Sequence, residues 1–445
     1  MEAGMGWPWP GDKQAQGVAA REALVAKLTR DGHIQSPTVA AAFRAVPREL
    51  FVPNVPLDEV YRSDSAIVTK RVQGVGVSSA SAPDVVAIML EQLGLRPGQR
   101  VLEVGAGTGY NAALMAEIVG AAGEVVTIDI DQDLVDDAHE HLARAGYERV
   151  AVLLGDGALG CPDRAPFDRV VLTVAASDIA AAWRDQLARP AGRLVLPLSL
   201  RGPQRTVAFK HEGDHLVSVS SRACSFIPLR GTLASPAGRR PIDPNGTIVM
   251  GLHAEAGATD NTPAVGDWAY RLLRGPWSQM PTGVRALPSE LAAGFGLWFG
   301  LFEERACSLW ADFPARGAAP AIPPLVSSKG RWHATLGLVG THGLALLARG
   351  DAPASAPTGE ARQPSELGAE DEDEADIAVC LLGGEVACAE HLRDRLREWD
   401  RRGRPDDTGL RIRAYARGQA VAPDEGAAVV EGRFSRLVVD WPPGA

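Results

Sequence analysis

The stretch "VLEVGAGTGY", residues 101–110, constrains the fold of this 445-residue chain more than any other. A mostly apolar run followed by three alternating glycines is typical of a buried strand that ends in a tight turn and a helix, and such turns often hold nucleotides. The glycines do not identify the nucleotide, but Glu103 narrows the choice. A turn that binds a pyrophosphate directs amide groups and a helix N-terminus at the anion, so a carboxylate two residues before the first glycine disfavours NAD and ATP. A nucleoside that carries a cation fits better.

Strand-like and helix-like segments alternate from Arg100 to about residue 200, which predicts a doubly wound, mostly parallel sheet. Ligands of such sheets bind at the carboxyl ends of the strands, where Gly105, Asp129 and Asp156 fall. Asp129 can accept both ribose hydroxyls, and Asp156 can meet an adenine amino group. S-adenosylmethionine has two cationic groups and no phosphate, so it is the predicted cofactor, and no metal is expected. A strand–turn–helix with solvated carboxylates and a dinucleotide oxidoreductase are the alternatives.

Seven motifs in order over residues 20–235 resemble the protein L-isoaspartate O-methyltransferase family. They are "AVPRELFVP", "SASAP", "VLEVGAGTGY", "GDG", "APFDRVVLTVAAS", "GRLVLPL" and "SFIPL". The resemblance implies a Rossmann-like class I S-adenosylmethionine-dependent methyltransferase fold of the α/β class, with an additional C-terminal α+β domain. It also implies an enzyme that methylates a carboxylate, after which the ester closes to a succinimide and hydrolyses to aspartate or isoaspartate.

The same resemblance assigns the site residues. Ser81 becomes the active-site serine that holds one oxygen of the substrate carboxylate, with Ser79 on the same loop; the rival interpretation is that Ser81 only serves the turn before Pro83. The residues implied to bind the cofactor are Ser81, Glu103, Gly105, Ala106, Gly107, Thr108, Gly109, Tyr110, Asp129, Ile130, Asp156 and Gly157.

The chain also departs from the repair enzymes of this family. They carry a "PIGxGQT" segment where this chain has "IVTKRVQGVGVSS", Ser177 replaces their usual proline, and they end near the position of Pro228. In these features the chain resembles homologues that modify ribosomally made lanthipeptides or graspetides. A macrocyclic precursor peptide with an aspartate is therefore the expected partner. General isoaspartate repair and a non-catalytic peptide-binding protein remain the alternatives.

The predicted domain organisation is a flexible tail over residues 1–16, a methyltransferase domain over 17–235, and an extension over 236–445 that recognises the peptide. Within the extension we expect a helix at 288–304 and a disordered acidic linker at about 351–376. A β-α-β-β unit follows the linker. Seven of the ten tryptophans lie beyond Arg230, where they fill a core or line a recognition surface.

Composition excludes several other classes of function. The net charge of −10 without a basic stripe argues against a nucleic-acid partner, and no segment has the apolar length of a membrane span. Five scattered cysteines without paired spacing are expected to be reduced, which predicts a cytoplasmic protein.

Overall fold

The computed structural model describes residues 11–234, 239–252, 265–312, 325–329, 332–350 and 373–442. The described helices are α1 Gly11–Arg30, α2 Pro37–Ala45, α3 Leu57–Val60, α4 Pro83–Leu93, α5 Tyr110–Val119, α6 Gln132–Arg144, α7 Ala181–Asp185, α8 Val265–Leu273, α9 Pro288–Glu290, α10 Gly296–Phe302 and α11 Val386–Arg401. A π-helical turn, Leu291–Phe295, joins α9 to α10.

The described strands form two large sheets and one hairpin. In chain order they are β1 Ile67–Val72, β2 Val75–Ala80, β3 Arg100–Val104, β4 Glu124–Asp129, β5 Ala151–Leu154, β6 Arg169–Leu172, β7 Arg193–Ser199, β8 Gln204–Glu212, β9 His215–Cys224, β10 Arg239–Pro241, β11 Ile248–Leu252, β12 Trp277–Ala286, β13 Ala306–Asp312, β14 Ser327–Lys329, β15 Trp332–Val339, β16 Leu344–Arg349, β17 Ala375–Leu382, β18 Arg411–Ala416, β19 Ala428–Glu431 and β20 Ser435–Asp440.

The first sheet has the order β19-β20-β18-β9-β8-β7-β6-β3-β4-β5. Strands β7, β6, β3, β4 and β5 run parallel, and each remaining neighbour pairs antiparallel. The parallel strands are apolar on both faces, as expected for strands that helices cover on both sides. The predicted doubly wound methyltransferase fold is therefore confirmed.

Local sequence explains how the covering helices begin and end. Ser36 is the N-cap of α2, where its hydroxyl accepts from the amide of Val39 at 3.2 Å, and Pro37 occupies the first helical position as predicted. Helix α4 ends at Gly94, whose φ of +56° lies in the left-handed region that favours glycine. These helices bury their apolar residues against the first sheet.

The second sheet is antiparallel, with the order β10-β11-β13-β15-β16-β17-β12, and β14 adds to β15. Helix α11 packs against it through Leu392, Leu396 and Trp399. Trp277 and Trp298 are buried in the cores on the two faces of this sheet, so the tryptophans in those positions fill cores.

The last three strands correct the predicted division of the chain at residue 235. Strand β18 pairs with β9, and Arg413 lies opposite Val217. Strands β18, β19 and β20 therefore belong to the first sheet and are not part of a separate C-terminal domain. The expected β-α-β-β unit is likewise wrong as a unit, because β17 belongs to the second sheet and β18 and β20 to the first. Alternation of side chains predicts a strand but not its partner, and β9 would otherwise be an unpaired edge.

The limits of three other predicted segments can be compared with the structure. The tail was expected to reach residue 16, but helix α1 already begins at Gly11, and residues 1–10 lie outside the described residues. The helix expected at 288–304 is observed from Pro288 to Phe302. The predicted acidic linker falls mostly outside the described residues, and β17 begins at Ala375. Among the described helices, none is both long enough and apolar enough to cross a bilayer.

Candidate functional site

A cleft opens at the carboxyl ends of β3, β4 and β6, and its empty space of about 590 Å³ is partly open to solvent. Its floor is the glycine turn that follows β3. One wall comes from β2 of the hairpin, and the other from residues 227–230. This is the edge of the sheet that the sequence predicts for the ligand.

Two glycines keep the floor of the cleft free of side chains. Gly105 has a φ of +101°, and a Cβ atom there would lie 2.7 Å from Oγ1 of Thr173. A Cβ atom at Gly157 would lie 2.2 Å from Cγ1 of Val104. Neither position accepts a larger residue without movement of its neighbours, so the floor stays open for a ligand that lies close to the backbone.

Four amide groups of the glycine turn already have acceptors within the protein. The amides of Gly105 and Ala106 donate to the carbonyl of Ile128 at 2.8 and 3.2 Å, and the Gly109 amide donates to Ala106 at 2.8 Å. The Gly107 amide donates to Oδ2 of Asp129 at 3.0 Å. A pyrophosphate would need such amides as donors. The turn therefore suits a ligand without phosphates.

Glu103 lies beneath this turn and is fully buried. Its carboxylate accepts from Oγ1 of Thr127 at 2.7 Å and from Nδ2 of Asn111 at 2.8 Å. Burial raises the pKa of Glu103 to about 7 against the opposing effect of these two donors, and the nearby Asp129 carboxylate raises it further. Glu103 does not line the cleft, so it acts on a ligand only through its field.

Asp129 is the last residue of β4, Asp156 lies two residues after β5, and backbone amides orient both carboxylates. Oδ1 of Asp129 accepts from the amide of Ile130 at 2.8 Å, and Asp129 lines the cleft. Asp156 accepts from the amides of Ala158 at 3.0 Å and Thr232 at 2.7 Å. Burial acts to raise the pKa of Asp156, but these amide donors hold it below its ordinary value.

Arg48 connects the "VPREL" motif to the serine loop. Its guanidinium is buried, donates to the carbonyl of Ser81 at 2.9 Å, and lies 4.9 Å from the ring centre of Tyr110 at the start of α5. Arg48 therefore holds the end of β2 against the glycine turn. Its role was not apparent from the sequence, because the motif does not say what the side chain contacts.

Ser79 lies in the wall of the cleft, while Ser81 is not among the residues that line it. Ser78, the neighbour of Ser79, also lines the cleft, but its hydroxyl is hydrogen-bonded to Thr69 at 3.1 Å. Among the described residues, none forms a hydrogen bond with the Ser79 hydroxyl. This hydroxyl is therefore available to a ligand in the cleft.

A cationic clamp, defined as Lys70 and Arg230 on Asp131, ties the two walls of the cleft together. Arg230 contacts both oxygens of Asp131, at 3.1 and 2.8 Å, and Lys70 contacts Oδ2 at 2.7 Å. The hydrogen bond from Arg230 is the main cause that lowers the pKa of Asp131, followed by burial, which opposes it, and by Lys70. Sequence analysis missed this clamp, because its charges lie 61 and 99 residues from Asp131.

Six of the residues predicted for the site line the cleft together: Ser79, Gly105, Gly107, Asp129, Ile130 and Gly157. The other predicted residues lie beside or below it: Ser81, Glu103, Ala106, Thr108, Gly109, Tyr110 and Asp156. Tyr110 in particular packs edge-on against Phe51 at 5.5 Å, away from a ligand. The lining residues that were not predicted are Val77, Ser78, Val104, Ile128, Leu134, Thr173, Val174 and residues 227–230.

Comparison with known proteins gives consistent matches. The sequence profile of the family described as protein-L-isoaspartate(D-aspartate) O-methyltransferase matches residues 19–234. A protein-L-isoaspartate O-methyltransferase of Hyperthermus butylicus is 41% identical over 233 residues, which are 50% of this chain and 93% of that protein. One of Methanopyrus kandleri is 42% identical over 48% of this chain and 92% of its own.

Among solved structures, one is a putative protein-L-isoaspartate O-methyltransferase of Plasmodium falciparum in complex with S-adenosyl-L-homocysteine. It is 22% identical, with a TM-score of 0.41, over 47% of this chain and 98% of its own. Residues 235–445 lie outside the family match.

Proposed function

The chain belongs to the protein-L-isoaspartate(D-aspartate) O-methyltransferase family, and from that premise we propose that it methylates an aspartate carboxylate in one particular peptide. It is an S-adenosylmethionine-dependent enzyme. The finer proposal is that the peptide is ribosomally made and modified. The backbone nitrogen of the residue after the aspartate then attacks the methyl ester and expels methanol, and the resulting succinimide hydrolyses to aspartate or isoaspartate or stays intact.

The observation that carries the cofactor assignment is the glycine turn, whose amides are satisfied internally above the buried carboxylate of Glu103. S-adenosylmethionine supplies an electrophilic methyl group when bound. Asp129 is placed to bind ribose hydroxyls, and the bare backbone at Gly157 leaves room for the adenine. The negative field of Glu103, when ionised, favours a cation above the turn.

On the acceptor side we propose Ser79 as the residue that orients the substrate. A carboxylate is a nucleophile at neutral pH, so the site needs no strong base, and positioning and exclusion of water suffice. The Ser79 hydroxyl can donate to one carboxylate oxygen and leave the other free to attack. Arg48 holds this loop in place through the carbonyl of Ser81.

The finer substrate proposal rests on residues 235–410, which lie between β9 and β18 and outside the family match. Helix α10 of this region packs against the first sheet, where Leu297 and Leu301 share a core with Leu437 and Val439. A repair enzyme must accept damaged sites in any exposed sequence, and an added unit of this size is more consistent with recognition of a defined peptide. General repair remains the competing function, because the family match alone supports both equally.

The test is methyl transfer by the full-length protein from labelled S-adenosylmethionine to two kinds of acceptor: unrelated isoaspartyl peptides, and modified precursor peptides of the lanthipeptide or graspetide type. We expect transfer to one aspartate of the precursor and little to the unrelated peptides. Efficient transfer to arbitrary isoaspartyl peptides would return the protein to the repair function. Cofactor binding without transfer to either acceptor would favour a non-catalytic peptide-binding protein.

A further inference from the structure

A second cavity lies between the two sheets. Its empty space of about 850 Å³ is partly open to solvent, and both sheets contribute to its walls. The first sheet supplies residues 202–205 and 224–225. The second sheet supplies Leu336 and Leu347, and the π-helical turn supplies Leu291 and Ala292. We call it the inter-sheet cavity.

The inter-sheet cavity opens at the same edge of the first sheet as the cofactor cleft. Strand β7 runs parallel to β6 and ends at Ser199, opposite Gln204 at the start of β8, and Gln204 in turn pairs with Cys224 at the end of β9. The carboxyl ends of the parallel strands and the mouth of the cavity are therefore neighbours along one edge.

A single short segment forms part of both walls. Ser225 lines the inter-sheet cavity and Ile227 lines the cofactor cleft, so their Cα atoms are at most about 7 Å apart. Gln204 holds the segment between them, because its side chain accepts from the amide of Phe226 at 2.7 Å and donates to its carbonyl at 3.3 Å. The Ala175 amide fixes the next residue by donating to Ile227 at 2.9 Å.

The chemistry of the inter-sheet cavity is mainly apolar, with one buried cation at its wall. Leu291, Leu336, Leu347 and Pro203 provide apolar surface. Arg205 is 3% exposed, donates to the carbonyl of Ala293 at 2.6 Å, and has its Nε 3.7 Å from Oδ2 of Asp407. Its charge is therefore paired within the protein, and the rest of the lining suits a large apolar side chain.

We propose that the inter-sheet cavity binds an aliphatic or aromatic side chain of the peptide substrate, about two to four residues from the aspartate that is methylated. This inference rests on the proposed function, since it requires a peptide with its acceptor in the cofactor cleft. The occupant follows from continuity: a chain that leaves the cleft along the segment 225–228 reaches the cavity within that distance.

The test is a scan of linear isoaspartyl peptides with glycine at every flanking position, in which leucine or phenylalanine replaces one glycine at a time. We expect one position to raise kcat/KM of the full-length protein about 10- to 100-fold, the range for burial of one such side chain. Single-turnover measurement with labelled S-adenosylmethionine makes the slow glycine peptide measurable.

The variant that separates this cavity from other surfaces is Ala292→Trp. Ala292 is exposed and lines the cavity, so an indole there fills the space without disturbing a core. We expect the gain from the apolar residue to disappear while the rate on the all-glycine peptide and the affinity for S-adenosylmethionine stay unchanged. Ala19→Trp, at an exposed alanine of α1, is the matched control. Ala292→Leu serves if the larger residue lowers the melting temperature.

Two results would overturn the inference: a scan in which no position raises kcat/KM, or a gain that survives in Ala292→Trp. Failure of the proposed function looks different: the all-glycine peptide would then be methylated as efficiently as the modified precursor, or neither would be methylated while the protein remains folded.

Discussion

The cofactor cleft and the inter-sheet cavity lie along one edge of the same sheet, but the chain assembles them in different ways. The floor of the cleft comes from the ends of successive strands: Gly105 directly follows β3, Asp129 ends β4, and Gly157 lies three residues after β5. The cavity brings Arg205 together with Ala292 and Leu336, which lie 87 and 131 residues further along the chain. A site made of strand ends can be inferred from a sequence, whereas a site made of packed surfaces requires the structure.

The largest effect on stability is expected from a truncation that removes the last three strands of the first sheet. A chain that ends after Arg240 loses β18, β19 and β20, which exposes the edge of β9 and the apolar face that Ile412, Leu437 and Val439 cover. At about 1.5–3 kcal/mol for each buried side chain, this loss approaches the whole stability of a domain. We expect aggregated protein without a cooperative unfolding transition.

A soluble product of this truncation that binds S-adenosylmethionine would show that residues 19–234 are complete without the last three strands. Full-length protein purified in parallel is the control, and circular dichroism on heating is the measurement.

The next largest effect concerns Glu103. Because burial raises its pKa from 4.5 to about 7, the folded state binds this proton more tightly than the unfolded state. Its contribution to the free energy of unfolding is full below pH 4.5 and is lost as the pH rises through 7, a change of about 3 kcal/mol. Glu103→Gln should therefore remove this decline between pH 5 and 8, as measured by urea denaturation.

Glu103 should also make cofactor affinity depend on pH. An ionised Glu103 favours a cationic ligand, so we expect the affinity for S-adenosylmethionine to rise from pH 6 to pH 8 in the wild type and to stay flat in Glu103→Gln. Glu124→Gln is the control, because Glu124 lies at the opposite end of its strand and pairs with Arg100 and Arg164. Equal pH profiles in wild type and Glu103→Gln would contradict the proposed role.

Substitution of one buried aspartate in each sheet region separates an effect on cofactor affinity from an effect on stability. Asp129→Ala should weaken S-adenosylmethionine binding about 10- to 100-fold, because it removes charge-assisted hydrogen bonds to the ribose worth about 1.5–3 kcal/mol. Asp243 is the matched control in the other region. It is similarly buried and accepts from the amide of Ile248 at 2.6 Å, so Asp243→Ala should lower stability and leave cofactor affinity unchanged. Isothermal titration calorimetry is the measurement. An equal loss of cofactor affinity in both variants would show that the loss in Asp129→Ala comes from folding and not from a ribose contact.

Ser79 and Ser81 distinguish the wall of the cleft from the loop behind it. We expect Ser79→Ala to lower kcat about tenfold, as for the loss of one positioned donor, with little change in cofactor affinity. Ser81→Ala should remain close to wild type, although the family resemblance assigns the role to Ser81. The opposite order of the two variants in a methyl-transfer assay would restore that assignment.

The smallest effect is expected for the cationic clamp. Arg230 is partly exposed, and such ion pairs contribute about 0.2–1 kcal/mol, so Arg230→Gln should weaken cofactor binding only a few-fold. The difference from wild type should shrink at high salt. Arg411→Gln breaks a similar two-contact pair with Asp440 in the first sheet, far from the cleft in sheet order, and should leave cofactor binding unchanged at every salt concentration.

Sequence reasoning gave the alternation of strands and helices from Arg100 and the acidic residues at strand ends, because both depend on neighbours in the chain. It placed Ser81 and Tyr110 in the site, yet the structure turns Tyr110 into the core beside Phe51 and leaves Ser81 outside the lining of the cleft. A motif specifies which residues occur near a site, but the direction of each side chain depends on what packs behind it.

The sequence by itself determined the glycine turn, the acid beneath it and the class of ligand that such a turn accepts. Where the backbone needs a positive φ, as at Gly105, or leaves no room for a side chain, glycine is required at that same position, so the requirement is visible in the sequence. Only the tertiary structure decided that residues 411–440 complete the first sheet, that Arg230 and Lys70 meet on Asp131, and that two sheets leave a cavity beside the cleft. Those contacts join segments far apart in the chain, and their partners are selected by the packing of whole surfaces, which no local pattern records.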